Sequence, residues 1–444
     1  MERGFWSSGK GFVIAAAGSA IGLGNIWRFP YMAGMNGGAV FLLIYLFTVV
    51  LIGYPLFINE MIIGRKTHLN PVGAMRAIAP GSPWWLAGAL GVFTGFIILS
   101  YYSVVAGWSL AYIFKSVTGG FREGINSLDI FRDHISNPLS VISWHAVFMF
   151  LCIVIIAYGV EKGIERSVRV LMPLLGLLLV FLIIRSMTLP GSIEGLMFFL
   201  KPDFSEITGK TFLAAIAQSF FTLSLGMGAI ITYGSYLSKK DEIPVNALSV
   251  VGLDTLVAVM AGFAIFPAVF ALGFEPASGP GLTFITLPAV FSKMPAGEFF
   301  GFAFFVLLSI AALTSGISLL EVIVAWAVDE KSFSRKKASV IFGTVIFLIG
   351  ILPALGYSIL QDVKFRNMDI LDNFDWFANS IFMPLGALLT AIFTGYAWRS
   401  KNACMEANLV KSRIKVGTWW VFLIKYIVPV AIVAIMVVGL LSKS

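Results

Sequence analysis

Long apolar runs alternate with short polar segments along the whole chain. Eleven of these runs approach or exceed the roughly 20 residues that a helix needs to cross about 30 Å of hydrocarbon. They cover 11–33, 38–63, 84–114, 141–159, 167–187, 211–237, 244–273, 297–328, 338–357, 376–398 and 416–441. Backbone exposed to lipid must satisfy its own hydrogen bonds, and the runs are too long for barrel strands of about 10 residues. The pattern predicts an all-α polytopic membrane protein with eleven transmembrane helices in a single domain over 1–444.

Composition agrees. Mean hydropathy is +0.91, and 58% of the 444 residues are hydrophobic while 12% are charged. A soluble fold could not cover that much apolar surface, whereas membrane lipid solvates it directly. Near the N-terminus the residue Lys10 leads straight into a long span without a small-residue cleavage site, so the first helix is expected to stay in place. Lys and Arg concentrate in alternate loops, including Arg65, Lys66, Arg76, Lys239, Lys240, Arg335, Lys336, Lys337, Arg399 and Lys411. By the positive-inside rule this places the N-terminus in the cytoplasm and, with an odd number of spans, the C-terminus outside the cell membrane. The net charge of +8 then reflects topology, and no clustered basic face calls for a nucleic acid.

Candidate chemistry is sparse. The only cysteines, Cys152 and Cys404, lie in or beside inner-half segments and are not expected to pair. His68, His134 and His145 are far apart and have no metal-ligand spacing. No hydrolase, P-loop or zincin pattern occurs, so an enzyme is not expected.

Two spans depart from plain packing helices. The first contains Gly18-Ser19-Ala20-Ile21-Gly22-Leu23-Gly24-Asn25 and the sixth Phe221-Thr222-Leu223-Ser224-Leu225-Gly226-Met227-Gly228. A lone Gly-x-Gly can simply let two helices approach closely. Here the two breaks occupy matching positions, each in the first helix of a five-helix half, taking 11–187 and 211–398 as the halves and 416–441 as an additional helix. An odd number of spans inverts the second half, so the expected architecture is a 5+5 inverted repeat with discontinuous helices 1 and 6. Paired interruptions of this kind point to a transporter's binding site. Unwound backbone frees carbonyls for a cation, and half-helix N-termini favour an anion. A zwitterionic amino acid together with sodium would use both.

Ionisable residues within or beside spans are costly, about 2.5–3.5 kcal/mol each even on lenient insertion scales. Glu60, Asp254, Glu321 and Asp375 are the acids in question and Arg28 the matching base. Asp375 could reach the interface from a helix end, but Asp254 lies deep inside its run. The eighth span adds Ala311-Ala312-Leu313-Thr314-Ser315-Gly316. Its hydroxyls could merely bond back to their own helix, yet hydroxyls, carbonyls and a carboxylate are the ligands a hard cation prefers.

The run Gly22-Leu23-Gly24-Asn25-Ile26-Trp27-Arg28-Phe29-Pro30, the following Asn36-Gly37-Gly38, and Gln218 through Gly228 resemble the neurotransmitter:sodium symporter family. The likeness runs over nearly the whole chain, which looks like a bacterial amino-acid member with eleven rather than twelve helices. It implies two sodium sites. The first would use the Ala20 carbonyl, Asn25, Thr222 and Asp254, with the substrate carboxylate as a further ligand. The second would use the carbonyls of Gly18, Ile21 and Ala311 with the hydroxyls of Thr314 and Ser315. The implied substrate pocket comprises Ala20, Gly22, Leu23, Gly24, Ile98, Tyr102, Phe221, Thr222, Ser224, Met227, Ser315 and Leu319, with Tyr102 bonding the substrate carboxylate.

The resemblance also implies gates: Arg28, Asp375 and Gln218 outside; Arg3, Trp6, Ser235, Tyr236 and Asp329 inside. Gly163 and Pro173 match a Gly-x9-Pro spacing with which the family unwinds its fifth helix, and Pro173 weakens a helix on steric grounds as well. Where monoamine carriers of the family have an aspartate, this chain has Gly22, which favours an amino acid over an amine. Met227 stands where some members have Phe, and its flexible thioether suits a large or aromatic side chain. Asp254 replaces a common asparagine, and its charge is expected to do the work of chloride or, alternatively, to carry a proton on the return step. Glu321 has no assignable role. The reading is sodium-coupled symport of a hydrophobic or aromatic L-amino acid by alternating access; a proton-coupled carrier and an amino-acid-sensing receptor are the alternatives.

Overall fold

The computed structural model describes residues 4–122, 124, 126–275 and 281–441, with the side chains of Glu206 and Leu441 excepted. Among them the fold is all-helical. A first pair, α1 (Gly9–Ala20) and α2 (Gly24–Met35), is bent by 50° at its break. There follow α3 (Ala39–Thr67), α4 (Trp85–Val117), α5 (Pro138–Ala157) and α6 (Val160–Met187). A second interrupted pair, α7 (Gly209–Thr222) and α8 (Ala229–Gly234), precedes α9 (Ile243–Ala271), α10 (Gly297–Lys331), α11 (Arg335–Ala354), α12 (Ile370–Ala397) and α13 (Thr418–Leu440). Nine of these helices are long and apolar enough to cross a membrane, and the bent pair makes a tenth span. The expected span 211–237 is two helices of 14 and 6 residues, neither long enough to cross alone.

Local chemistry sets the ends. The Ser8 side chain caps α1 by accepting from Gly11 N at 3.1 Å, and Asn137 caps α5 by accepting from Ser140 N at 3.1 Å ahead of Pro138. Thr208 and Thr211 bond reciprocally at the start of α7. The polar connections also carry short helices over Pro71–Ile78, Ser127–Ile135, Ser192–Leu200, Leu282–Ser292 and Ser400–Ala407, which span-length hydropathy does not detect.

Burial sorts the spans. In its most apolar window α10 is 89% buried, whereas α6 and α13 are each 22% buried. α10 runs along α4 at the centre of the molecule, and α1 packs on α9, α10 and α6. α6 and α13 turn rows of Leu, Val and Ile outward, including Leu177, Val180, Ile184, Val430 and Val437. A bilayer accepts such rows without cost. Both interrupted helices lie on the buried side, where unwound backbone finds protein partners.

Candidate functional site

The first break runs through Ile21, Gly22 and Leu23, and Ile21 is already extended (φ −70°, ψ 101°). The second, Leu223 to Gly228, contains three residues with positive φ: Ser224 (54°), Gly226 (76°) and Gly228 (75°). Glycine removes the steric cost at two of the three. Gly226 also meets α12, where an added Cβ would strike the Met383 carbonyl. Its N–H donates to Glu60 Oε1 at 2.8 Å, so the buried Glu60 of α3 satisfies backbone that the break has released.

The two breaks are tied to each other. Gln218 Nε2 donates to the Gly24 carbonyl at 2.8 Å, and Ser224 Oγ donates to the Ser19 carbonyl at 3.3 Å. Ser315 Oγ of α10 donates to that same carbonyl at 3.0 Å.

Around these ties lies a cavity of about 30 Å³. Ala20, Gly22, Leu23, Gly24, Ile98, Tyr102, Phe221, Ser224, Met227, Ser315 and Leu319 all line it, joined by Ser318, which the sequence reading missed. Thr222 belongs elsewhere: its hydroxyl faces Asp254 rather than the cavity. A Cβ at Gly22 would collide with the Ser315 hydroxyl and come within 3.1 Å of the Tyr102 hydroxyl. The Tyr102 oxygen accepts from Leu23 N at 3.4 Å. The lining thus combines backbone and hydroxyls with the apolar side chains of Ile98, Phe221, Met227 and Leu319.

Oxygen-rich clusters flank the first break. On one side Asn25 Nδ2 donates to Asp254 Oδ1 at 2.8 Å, and Thr222 Oγ1 donates to Asp254 Oδ2 at 3.0 Å. Asn25 Oδ1 accepts from Gly22 N at 3.0 Å. Asn25, Thr222 and Asp254 are fully buried. On the other side the Thr314 hydroxyl lies 3.0 Å from the Ala311 carbonyl and 3.3 Å from the Ile21 carbonyl of the facing helix. It also lies 3.2 Å from the Ile310 carbonyl, so back-bonding and a cross-helix contact occur together. Gly18 sits against α6, where a Cβ would come within 3.2 Å of Val168 and 3.3 Å of Met172.

A second cavity, of about 160 Å³, adjoins the first. Arg28 and Asp375 both line it, together with Tyr31, Tyr101 and Asp372. Among the described residues the two form no ion pair within 4.0 Å: the Arg28 guanidinium lies 4.5 Å from the Phe221 ring centroid, and Asp375 Oδ1 accepts from Asn379 at 2.7 Å. Arg28 Nη1 has no hydrogen-bond partner. Gln218, expected beside this pair, is bonded instead to Gly24. Phe221 and Tyr102 line both cavities and separate them.

At the opposite end a larger cavity, of about 660 Å³, is lined by Tyr236, Asp329 and Arg335 among others. Trp6 Nε1 donates to the Tyr233 carbonyl at 3.0 Å, and the Trp6 ring meets Tyr233 and Tyr236 edge-on, with centroids 5.2 and 5.9 Å apart. Ser235 Oγ donates to the Thr232 carbonyl at 2.6 Å. Asp329 Oδ2 accepts from Asn70 N at 2.8 Å. Arg3 lies outside the described residues. Glu321, unassigned from sequence, is fully buried here: Tyr236 donates to its Oε1 at 2.5 Å and Arg335 pairs with its Oε2. Nothing local in the sequence signals this, since Tyr236 lies 85 residues away.

Gly163 falls in a π-helical turn, Val160–Glu165, that opens α6, and the helix continues through Pro173. A Cβ at Gly163 would strike the Ile155 carbonyl. Glu165, in the same turn, accepts from Ser7 N at 2.9 Å and from the Ser7 hydroxyl, and pairs with Arg169 at 2.6 Å. The segment ahead of α1 is thereby held to α6.

Comparison with known proteins places this geometry. The chain is 47% identical to MhsT in a crystal structure in complex with L-phenylalanine, with a TM-score of 0.91 over 99% of this chain and all of that one. It is 43% identical over 443 residues to the sodium-dependent transporter YhdH of Bacillus subtilis, covering 98% of both chains. A sodium-dependent transporter of Haemophilus influenzae is 38% identical over 99% of this chain and 98% of its own. The description of one family matches residues 3–124 and 121–444, and so the chain belongs to the sodium:neurotransmitter symporter family.

Proposed function

We propose that the protein couples the entry of a hydrophobic or aromatic L-amino acid to a sodium gradient, by alternating access and without chloride. The observation that carries this reading is the small cavity bounded by two broken helices, with the buried Asn25–Thr222–Asp254 cluster at one side of the first break. The MhsT structure, with its bound L-phenylalanine, supports the substrate class.

The chemistry follows from the lining. The substrate carboxylate lies toward Gly22, Leu23 and the Tyr102 hydroxyl, where the absence of a side chain at Gly22 lets Ser315 and Tyr102 approach the backbone and the break frees N–H groups from the helical ladder. Its apolar side chain occupies the region of Ile98, Phe221, Met227 and Leu319. One sodium ion takes oxygens from Ala20, Asn25, Thr222 and Asp254. A second takes them from Gly18, Ile21, Ala311, Thr314 and Ser315. The first ion joins substrate to cluster, so each stabilises the other's binding by the same factor. Asp254 supplies a resident negative charge beside that ion, which removes the need for chloride.

Alternating access requires two seals. Phe221 with Tyr102, under Arg28 and Asp375, forms the outer one; Trp6, Ser235, Tyr236 and Asp329 form the inner one. Halves 11–187 and 211–398 are inverted repeats, and the bundle of spans 1, 2, 6 and 7 rocks against spans 3, 4, 8 and 9. Local opening at Gly163 and Pro173 gives water a path to the second sodium ion. The N-terminus lies in the cytoplasm.

Proteoliposomes loaded with potassium and given an inward sodium gradient should accumulate labelled L-phenylalanine or L-leucine. Uptake that persists when external sodium is replaced by potassium would sink the reading, and binding without accumulation would favour a receptor.

A further inference from the structure

Outside the transport path, a groove of about 480 Å³ opens on the outer surface of the helical bundle. Its walls are aromatic: Trp85, Phe93 and Phe96 from α4, Trp326 from α10 and Phe342 from α11. Trp85 and Phe93 are exposed, and both belong to a helix apolar enough to cross a membrane. The groove begins at the first residue of α4 and reaches Phe96, about 16 Å further along the helix axis. That is about half of a 30 Å hydrocarbon core, the depth of one leaflet.

Its mouth is polar. Arg76, on the helix Pro71–Ile78, pairs with Glu330 at 2.7 Å. Lys331, the last residue of α10, forms no ion pair among the described residues, and its ammonium lies 5.9 Å from the Trp326 ring centroid. The mouth therefore carries one carboxylate and two cations. By the distribution of Lys and Arg along the chain it lies at the cytoplasmic face, where anionic lipids are enriched.

We propose that this groove is a binding site for an anionic phospholipid of the inner leaflet. One acyl chain lies between the aromatic walls, and the headgroup phosphate is held by Lys331 and by the donors of Arg76 that Glu330 leaves available. An apolar groove of this depth in contact with a bilayer is filled by an acyl chain. The net positive mouth selects the lipid that fills it, and the proposal rests on the membrane-spanning fold, independent of the transported substrate.

The test is native mass spectrometry of the full-length purified protein, offered equal amounts of phosphatidylglycerol and phosphatidylcholine with matched acyl chains. The wild type should retain phosphatidylglycerol in at least about fivefold excess, as expected for one well-placed cation near a lipid surface. Lys331→Glu should lower that excess at least fivefold, whereas Lys240→Glu, an exposed change in another loop of the same face, should leave it unchanged. Ala89→Trp, which fills the groove, should reduce retention of both lipids. No preference in the wild type, or equal losses for Lys331→Glu and Lys240→Glu, would overturn the proposal. Lys331 is an exposed terminal residue, so its variant decides the matter even where Ala89→Trp does not fold.

Discussion

The Asn25 amide donates twice to Asp254, at 2.8 Å to the side-chain Oδ1 and at 3.0 Å to the backbone carbonyl. A residue in the first turn of α2, just past the first break, is thus fixed to a carboxylate 229 positions away, with Thr222 bonded to the same group. The Asp254→Asn variant keeps this shape and removes the charge. It should transport at least tenfold more slowly without chloride and recover when chloride is added. Chloride-independent uptake by Asp254→Asn would refute the role given to that charge.

Thr314 faces the Ile21 carbonyl across a helix boundary. In Thr314→Val a methyl replaces a hydroxyl at nearly constant volume. A hydrogen-bonding contact to a charged group is worth about 1.5–3 kcal/mol, so the sodium concentration for half-maximal uptake should rise roughly tenfold or more. Thermal stability without sodium should change little. A sodium titration of uptake and of unfolding temperature separates the two effects.

Gly226 combines a φ of 76° with a Cβ direction that ends on the Met383 carbonyl. Gly226→Ala should therefore cost about 1–3 kcal/mol through the backbone alone, and more through the clash. The expected outcome is a lower unfolding temperature together with lost substrate binding. Retention of both would mean that the second break tolerates rewinding.

Tyr236→Phe removes the hydroxyl that donates to Glu321 and leaves the Arg335–Glu321 pair in place. Hydrogen exchange should accelerate in Ala229–Gly234 and in the segment ahead of α1, which Trp6 ties to Tyr233 and Tyr236. Faster exchange confined to other helices would remove Tyr236 from the inner seal.

His134, on the short helix Ser127–Ile135 outside the spans, is held down to about 4 by burial and then by the charge of Lys115. The folded protein thus binds this proton less readily than the unfolded chain, whose histidine titrates near 6.5. The contribution of His134 to stability is present above about pH 6.5 and is lost as pH falls toward 4, on the order of 1–3 kcal/mol. Unfolding temperatures at pH 7 and pH 4.5 should differ more for the wild type than for His134→Gln.

The position of the site was legible because its cause is local. Glycines at 22, 24, 226 and 228 interrupt apolar runs, and an interruption shows in the sequence without knowledge of partners. The family likeness then assigned the lining, and eleven of its residues do border one cavity. The resemblance also implied Thr222 in that lining, yet one residue of helix turns a side chain about 100° away from Phe221, here toward Asp254. Glu321, Glu165 and Glu60 were opaque for another reason. Each draws its meaning from partners distant in the chain, namely Tyr236 and Arg335, Ser7, and the Gly226 amide. Arg28 and Asp375, implied as an outer gate, line one cavity without an ion pair, and composition does not encode the distance between two residues so far apart in the chain.

Phe221 and Tyr102 border both the small cavity and the larger one beside it. Both aromatic side chains therefore belong to the partition between the two cavities. Turning either ring takes far less rearrangement than parting two helices, whose collective motion runs on microseconds to milliseconds. Under the alternating access proposed above, a captured solute would then slip back many times before the bundle commits to the other side. Trapping efficiency would be set by the residence time of one ring, and a bulkier cargo that wedges against it would escape less often than a small one.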